Sequence, residues 1–294
     1  MNRRKTFGLA LSGGSLRGAA HIGVLKVLEQ EGLRPDCIAG TSAGGVIAGL
    51  YASGLTLDMV EYKAKSIRKA DYLDVNINPL DMIFSSFCCR NFLKIPSGII
   101  KGNLIEKALE ILTNGRGFNN LRLPTAIISV DIKTGEKVVF TSKELIPETK
   151  SKDTVYITNR SLAEAMRASI SIPGIFVPKK IGNRLLVDGG IKDNVPVEIL
   201  RRNNVDIVVA VDLKFASQRD EEIDNLIEIL IQTTDIMGQE ISNLKIELFA
   251  DMVIDPGIYD VNLTDIHMIP ECIKKGAEAT QQALPKLKAL LLDN

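Results

Sequence analysis

Short apolar runs alternate along the chain with longer segments in which apolar residues recur every three or four positions. The runs are bounded by glycine, proline or aspartate and are too short for helices, so they predict buried strands. The longer segments have the spacing of amphipathic helices. We expect strands at residues 6–11, 35–39, 126–130, 137–140, 184–187 and 206–211, and helices at residues 17–30, 43–51, 102–112, 162–168, 221–249 and 265–292, with another from residue 56.

Strands that are apolar throughout and alternate with helices are typical of a parallel sheet covered on both faces. The predicted fold class is therefore α/β, an open and mostly parallel sheet with helices on both faces. No Pro/Gly/Ser-rich linker or internal repeat divides the chain. We expect a single domain over residues 1–294, with the motifs within about 5–215 and a helical C-terminal region at about 220–294.

Composition excludes several classes of function. The 36 basic and 36 acidic side chains give zero formal net charge, so the chain has no long-range field for nucleic acid or an anionic bilayer. Its two histidines, His21 and His267, are too few and too far apart for a multi-histidine metal site. We expect no nucleic-acid partner and no multi-histidine metal site.

Residues 37–57 carry no charge and are long enough to span a bilayer. Five of these residues are glycine, however, and a buried strand, a turn and a buried helix explain the segment better. The first residues resemble the start of a signal peptide, but the apolar run at 7–11 is too short for one. We therefore expect a cytoplasmic protein.

Residues 40–44, Gly-Thr-Ser-Ala-Gly, form a G-x-S-x-G motif between a predicted strand and a predicted helix. A serine at such a sharp turn projects its hydroxyl outward, and small residues must stand two positions away on each side, here Gly40 and Gly44. The amides and dipole of the following helix stabilise negative charge at the same place. Ser42 is thus a candidate nucleophile, although a serine here can also serve only as a helix cap.

A glycine-rich loop at residues 12–18 joins the first strand to the first helix. It lacks the Gly-Lys-Ser/Thr ending of a nucleotide P-loop, and Ser15 replaces the middle glycine of a dinucleotide loop. Consecutive amides at a helix start also hold a developing negative charge. An oxyanion hole is the use that fits a serine nucleophile on the neighbouring strand.

A serine nucleophile needs a positioned base, and the sequence offers several. His267 gives the chain order Ser–Asp–His of an α/β-hydrolase triad, although its helix-start context also suits a surface role. Asp188 follows a predicted strand, at the sheet edge where α/β proteins carry their sites. Asp131 and Asp212 also end strands, so position alone leaves the choice open.

These motifs, and the order in which they occur, resemble those of the patatin-like phospholipase family, in particular of its small bacterial members. The Asp188 motif contains two following glycines, Gly189 and Gly190. The resemblance runs from about residue 5 to about residue 213. It is carried by residues 12–18 with 20–25, 40–45 and 188–190, and more weakly by 130–135, 167–169, 172–174 and 193–196.

The resemblance implies a catalytic dyad of Ser42 as nucleophile and Asp188 as base, without metal or cofactor. It also implies an oxyanion hole formed by the loop residues Gly13, Gly14, Ser15, Arg17 and Gly18. The family usually has a third consecutive glycine where this chain has Ser15. If that position requires a positive φ, the serine introduces strain or narrows the pocket.

The function that the resemblance implies is that of a serine lipid acyl hydrolase, of phospholipase A or esterase type, acting through an acyl-enzyme. The expected partner is a lipid or fatty-acyl ester, with transient membrane contact that is apolar and local. Residues 82–92 are apolar enough to line an acyl groove or touch a membrane, or else to pack in the core. A short-chain esterase or thioesterase, and a weakly active regulatory protein on the same fold, are the alternatives; oligomeric state is left open.

Overall fold

The apolar runs form one sheet of nine strands in the computed structural model, which describes residues 5–76, 97–214, 226–259, 261 and 265–292. Two further strands pair with each other outside it. The strands in chain order are β1 (Phe7–Leu11), β2 (Cys37–Thr41), β3 (Gly98–Ile100), β4 (Thr125–Asp131), β5 (Lys137–Thr141), β6 (Thr154–Ile157), β7 (Gly174–Phe176), β8 (Lys179–Ile181), β9 (Arg184–Asp188), β10 (Ile207–Val211) and β11 (Met252–Ile254).

Helices cover the sheet on both faces, as predicted. Alternate residues of β1 enter two apolar clusters: Leu9 packs with α1, α2 and α9, whereas Ala10 packs with α7. The helices are α1 (Ala20–Gln30), α2 (Ala43–Ser53), α3 (Leu57–Lys65), α4 (Asn103–Thr113), α5 (Leu162–Ser169), α6 (Gly190–Asp193), α7 (Val197–Arg201), α8 (Leu226–Phe249) and α9 (Ile269–Leu292).

The sheet is open and mostly parallel, in the order β11-β10-β1-β2-β4-β5-β6. The pairs from β11 to β4 are parallel, and β5 pairs with β4 in the antiparallel direction that the turn at residues 133–135 predicts. β9 runs antiparallel to β4 and to β8. The predicted fold class is confirmed.

Strands β2 and β9 meet end to end beside β4. Thr41 at the end of β2 pairs with Ile128, and Asp188 at the end of β9 pairs with the next residue, Ser129. Because β2 is parallel to β4 and β9 is antiparallel to it, their carboxyl ends approach each other at one point of the sheet. This meeting brings together residues that are far apart in sequence.

The element boundaries differ from the prediction at the two motif loops. Residues Ser15–Ala19 form a 3-10 turn, so the first helix begins at Ala20. Strand β2 continues through Thr41, which leaves Ser42 alone as the turn. Strands β3, β6, β7, β8 and β11 were not predicted because they have only three or four residues.

The apolar stretch at 82–92 and the predicted start of the C-terminal helix at residue 221 lie outside the described residues. Within the described part of the chain, no helix is both long and apolar enough to cross a membrane.

Candidate active site

Ser42 occupies the strand-to-helix turn in a conformation that few side chains adopt. Its φ is 52° and its ψ is −125°, and its side chain is buried to 6% exposure. Such backbone strain costs about 1–3 kcal/mol and persists only where the surroundings enforce it. The hydroxyl accepts no hydrogen bond from α2, so Ser42 is not a helix cap.

The two glycines of the turn are required by close packing. A Cβ on Gly40 would stand 2.4 Å from the carbonyl oxygen of Gly44. A Cβ on Gly44 would stand 2.3 Å from the carbonyl oxygen of Leu11. Neither glycine has a positive φ, so backbone freedom is not the reason for them.

Asp188 is buried at the end of β9 with one carboxylate oxygen engaged. Oδ1 accepts a 2.8 Å hydrogen bond from the Gly190 amide, whereas Oδ2 has no hydrogen-bond partner among the described residues. Burial raises the pKa of Asp188 to about 7, with a further rise from the charge of Asp235. The Ser42 hydroxyl and the Gly190 amide lower this pKa, which leaves a carboxyl that titrates near neutral pH.

The meeting of β2 and β9 therefore brings Ser42 and Asp188 together. The hydroxyl lowers the pKa of the carboxyl in the way a hydrogen-bond donor does, but Oδ2 makes no hydrogen bond. Proton transfer requires a separation of roughly 2.6–3.2 Å, and catalytic hydrogen bonds commonly form or tighten only when substrate binds.

The glycines after Asp188 let the chain turn across β4. A Cβ on Gly189 would lie 2.6 Å from the carbonyl oxygen of Ile128. A Cβ on Gly190 would lie 3.2 Å from Asp188 Oδ1, and the Gly190 amide begins α6 while it binds that oxygen. Gly189 thus excludes a side chain, and a side chain at Gly190 would crowd the Asp188 carboxylate.

The glycine loop lies directly against the Ser42 turn. The Gly13 amide donates a 3.1 Å hydrogen bond to the Asn194 carbonyl, and a Cβ on Gly13 would be 3.2 Å from the Cβ of Ser42. A Cβ on Gly18 would be 2.3 Å from the Cβ of Ala43. The loop can approach the turn this closely only without these side chains.

Ser15 has a positive φ of 53°, the conformation in which a serine at this position introduces strain. This left-handed conformation costs a residue with a Cβ roughly 1–2 kcal/mol. The amides of Gly14 and Ser15 donate no hydrogen bond to another described residue. The Arg17 guanidinium donates to the carbonyls of Lys214 at 2.8 Å and Leu213 at 3.4 Å, which ties the loop to the end of β10.

Neither histidine forms a hydrogen bond with Ser42 in the described part of the chain. His21 is buried, and its Nε2 lies 2.8 Å from the carbonyl oxygen of Ser12. Burial lowers the pKa of His21 to about 4, so the ring is neutral and Nε2 donates to that carbonyl. His267 is exposed on a 3-10 turn before α9. The proposed His267 triad lacks supporting geometry.

The other strand-end aspartates have structural partners. Asp131 accepts hydrogen bonds from Arg184 at 3.1 Å and from the Leu185 amide at 3.3 Å, which joins β4 to β9. Asp212 accepts from the Lys214 amide at 3.0 Å, and burial raises its pKa. Neither contacts the Ser42 turn through these bonds.

Three features near the site were missed in the sequence. The Ser169 hydroxyl accepts a 2.8 Å hydrogen bond from the Ser42 amide. Asp193 is buried between Lys137 at 2.9 Å and Lys245 at 2.8 Å, and Asp235 on α8 acts on Asp188. A lysine at the head of the apolar strand β5 was the one available signal for the second feature.

Among the described residues, no group of three or more His, Cys, Asp or Glu side chains could hold a metal ion. Polar atoms of the site that make no hydrogen bond to another described residue include Asp188 Oδ2 and the amides of Gly14 and Ser15. The arrangement suits nucleophilic chemistry by a serine hydroxyl next to a carboxylate base.

Solved structures share this fold. VipD from Legionella pneumophila matches with a TM-score of 0.51 at 13% identity, over 97% of this chain and 67% of that one. Human GIVD cytosolic phospholipase A2, solved with methyl gamma-linolenyl fluorophosphonate, matches with a TM-score of 0.51 at 11% identity, over 99% of this chain and 60% of that one.

Sequence relatives extend the comparison. An uncharacterized NTE family protein of Mycobacterium tuberculosis is 32% identical over 70% of this chain and 48% of its own length, so this chain spans about half of it. The uncharacterized protein YqhO of Bacillus subtilis is 30% identical over 69% of each chain. A patatin-like phospholipase domain-containing protein of Caenorhabditis elegans is 31% identical over 70% of this chain and 13% of its own.

The family profile described as patatin-like phospholipase matches residues 9–201. This range contains the glycine loop, the Ser42 turn and the Asp188 motif. The chain belongs to the patatin-like phospholipase family.

Proposed function

We propose that the protein is a serine lipid acyl hydrolase in which Ser42 is the nucleophile and Asp188 is the base. Membership of the patatin-like phospholipase family supports a lipase-type hydrolase. The observation that carries the dyad is the meeting of β2 and β9, which sets a strained serine beside a buried carboxylate with one oxygen unpaired. A pKa of about 7 suits Asp188 to accept a proton near neutral pH.

The first half of the reaction forms an acyl-enzyme. Asp188 takes the Ser42 proton as the Ser42 oxygen attacks the ester carbonyl carbon, and the carbonyl oxygen becomes an oxyanion. The intermediate then collapses: the bond to the leaving alkoxide breaks, and protonated Asp188 returns the proton to it. In the second half, water loses a proton to Asp188 while attacking the acyl carbon. The carboxylic acid leaves, and the proton returns to Ser42.

The oxyanion would be held by the amides of Gly14 and Ser15. These amides make no hydrogen bond with another described residue, whereas the Gly13 amide is already bound to Asn194. Because Gly13 and Gly18 have no side chains, the loop can lie against the Ser42 turn, and Arg17 fixes the loop to the end of β10. The N-terminus of α2 adds positive potential at the same point.

Ser15 is compatible with turnover in this mechanism. Losing one oxyanion donor typically lowers the rate about 10²–10³-fold, and Ser15 keeps its amide. The strain of its positive φ is small beside that effect. The lipid substrate, cytoplasmic location, transient membrane contact and single-domain organisation stay predictions from the sequence. The alternative of a short-chain esterase or thioesterase differs only in acyl specificity, so a series of ester chain lengths separates the two.

A fluorophosphonate probe tests the proposed function. The wild type should be labelled at Ser42, identified by mass spectrometry, and should hydrolyse p-nitrophenyl esters. Ser42→Ala should lose both properties, while His267→Ala, the matched control for the triad, should keep both. Equal labelling of the wild type and Ser42→Ala, or no labelling of the wild type, would contradict the proposal. Loss of all hydrolysis in His267→Ala would favour the triad.

A further inference from the structure

The hydroxyl of Ser169, at the end of α5, is engaged on both sides beside the Ser42 turn. It accepts a 2.8 Å hydrogen bond from the Ser42 amide and donates a 2.5 Å hydrogen bond to the Ile128 carbonyl. The side chain is fully buried. It therefore links the nucleophile turn to the sheet through two hydrogen bonds, and burial keeps water from competing for them.

The position of Ile128 explains why a relay is present. Ile128 of β4 pairs with Thr41, the last residue of β2. The chain leaves the sheet at Ser42, so the Ser42 amide turns away from the direct ladder between the two strands. The Ser169 hydroxyl restores the link between that amide and β4.

Ser42 needs such a link because its backbone is strained. Its carbonyl oxygen accepts a 3.0 Å hydrogen bond from the Val46 amide in α2, which holds the residue on one side. The Ser169 hydroxyl holds the other side, at the amide. With both peptide groups fixed, the backbone at φ of 52° directs the Ser42 side chain to one place.

The same segment also holds the second member of the pair. The Asp188 amide donates a 2.9 Å hydrogen bond to the Ser171 carbonyl, two residues beyond Ser169. Ser171 is bound in turn by the buried Arg167, whose guanidinium donates to its hydroxyl at 2.6 Å. One hydrogen-bonded turn, which contains Ser169 and Ser171, thus contacts the backbone of both Ser42 and Asp188.

We propose that Ser169 is a positioning residue, which fixes the Ser42 amide so that the Ser42 hydroxyl faces Asp188. This inference rests on the proposed function of Ser42 and Asp188. Ser169 touches neither substrate nor the transferred proton, and it acts through the backbone of the nucleophile. Its removal should therefore lower kcat and leave substrate binding almost unchanged.

Steady-state kinetics of Ser169→Ala on a p-nitrophenyl ester test the inference. Because a misplacement of about 1 Å lowers a rate by up to about 10²-fold, we expect kcat to fall about 10- to 100-fold with KM within about threefold of wild type. Labelling of Ser42 by the fluorophosphonate should slow by a similar factor. Ser53→Ala is the matched control, since the buried Ser53 hydroxyl donates only to Leu50 within α2, and it should keep wild-type kcat.

Ser169→Cys keeps the test decisive if the alanine variant does not fold. Its thiol keeps a side chain in the buried position but is a weak hydrogen-bond partner, so kcat should again fall at least about tenfold. A folded Ser169→Ala or Ser169→Cys protein with wild-type kcat overturns the inference when Ser42→Ala is inactive. A rise in KM with unchanged kcat also overturns it. A wild type that is neither labelled nor active overturns the proposed function, and this inference with it.

Discussion

Two aspartates five residues apart, Asp188 and Asp193, lie in opposite electrostatic surroundings. Both side chains are buried. Asp193 is 2.9 Å from the Lys137 ammonium and 2.8 Å from the Lys245 ammonium. Asp188 has a backbone amide on one oxygen and no hydrogen-bond partner among the described residues on the other.

The difference indicates which carboxylate is suited to chemistry. Burial opposes the charge of Lys137, but attraction to Asp193 and Glu198 outweighs it and raises the pKa of Lys137. Lys137 therefore stays charged, and its ion pair with Asp193 anchors α6 to β5. Burial without a cation raises the pKa of Asp188 to about 7, which leaves this carboxylate able to exchange a proton.

Replacing Asp188 should have the largest effect on activity. Asp188→Asn should lower kcat/KM about 10³-fold through loss of the base. It should also stabilise the fold at about pH 8, by on the order of 2 kcal/mol, because the raised pKa means that the native state is penalised by ionisation as pH rises from about 4 to 7. Esterase kinetics and urea unfolding at about pH 5 and 8 measure both effects. A variant that is equally destabilised at both pH values would contradict the account.

Replacing Asp193 should show the opposite balance. Asp193→Asn leaves Lys137 and Lys245 near a buried site with Glu198 as their remaining carboxylate partner, which should lower the free energy of unfolding by about 3 kcal/mol, the lower end of the cost of breaking a buried ion pair. Asp153→Asn is the control, since Asp153 pairs with Lys192 at 2.8 Å but is 58% exposed, and it should change stability by less than about 1 kcal/mol. Urea unfolding of both variants measures the two losses in the free energy of unfolding. Equal losses would mean that the burial of the Asp193 pair has no special effect.

Asp235 on α8 tests how charged surroundings set the pKa of Asp188. Its charge raises the pKa of Asp188, so Asp235→Asn should lower that pKa and move the acid limb of kcat/KM to lower pH. The rate at about pH 6 should rise about twofold, because more Asp188 is ionised there. Glu240→Gln, on the exposed part of the same helix, is the control. An unshifted limb in Asp235→Asn would contradict a direct effect on Asp188.

Replacing His21 should change the pH dependence of stability in acid. Its pKa is about 4 in the fold, below the ordinary value of about 6.5, so stability should be lost as pH falls through this range while the unfolded chain binds the proton. His21→Gln, whose side-chain amide can replace the donor to Ser12, should show a flatter dependence. Thermal unfolding between about pH 4 and 7 measures this. Parallel curves for the two proteins would be the contrary result.

The sequence predicted the parts of the fold that depend on local pattern. Continuous apolar runs are sufficient to identify β1, β4 and β10, because strands buried on both faces need no alternation. Gly40 and Gly44 could be predicted at the Ser42 turn because the motif spacing reflects close packing. Strand β6, with partly exposed residues, gave no comparable signal.

The contacts that distinguish the site could not be predicted in the same way. Asp188 and Asp131 both follow strands, and only the register on β4 shows that Asp188 meets the end of β2. The partners of Asp193 lie 56 and 52 residues away, on β5 and α8, so no local spacing indicates them. Ser169 belongs to a stretch that resembles the family, but its bond to the Ser42 amide depends on how α5 packs.

The pH dependence of fluorophosphonate labelling at Ser42 tests the central claim most directly. If the unpaired carboxylate of Asp188 activates Ser42, the labelling rate should rise with pH through about 7 and level off above it. Asp188→Asn should abolish the rise and leave a slow rate. A wild-type rate that does not change between about pH 5 and 9, or an Asp188→Asn protein labelled as fast as wild type, would contradict the account.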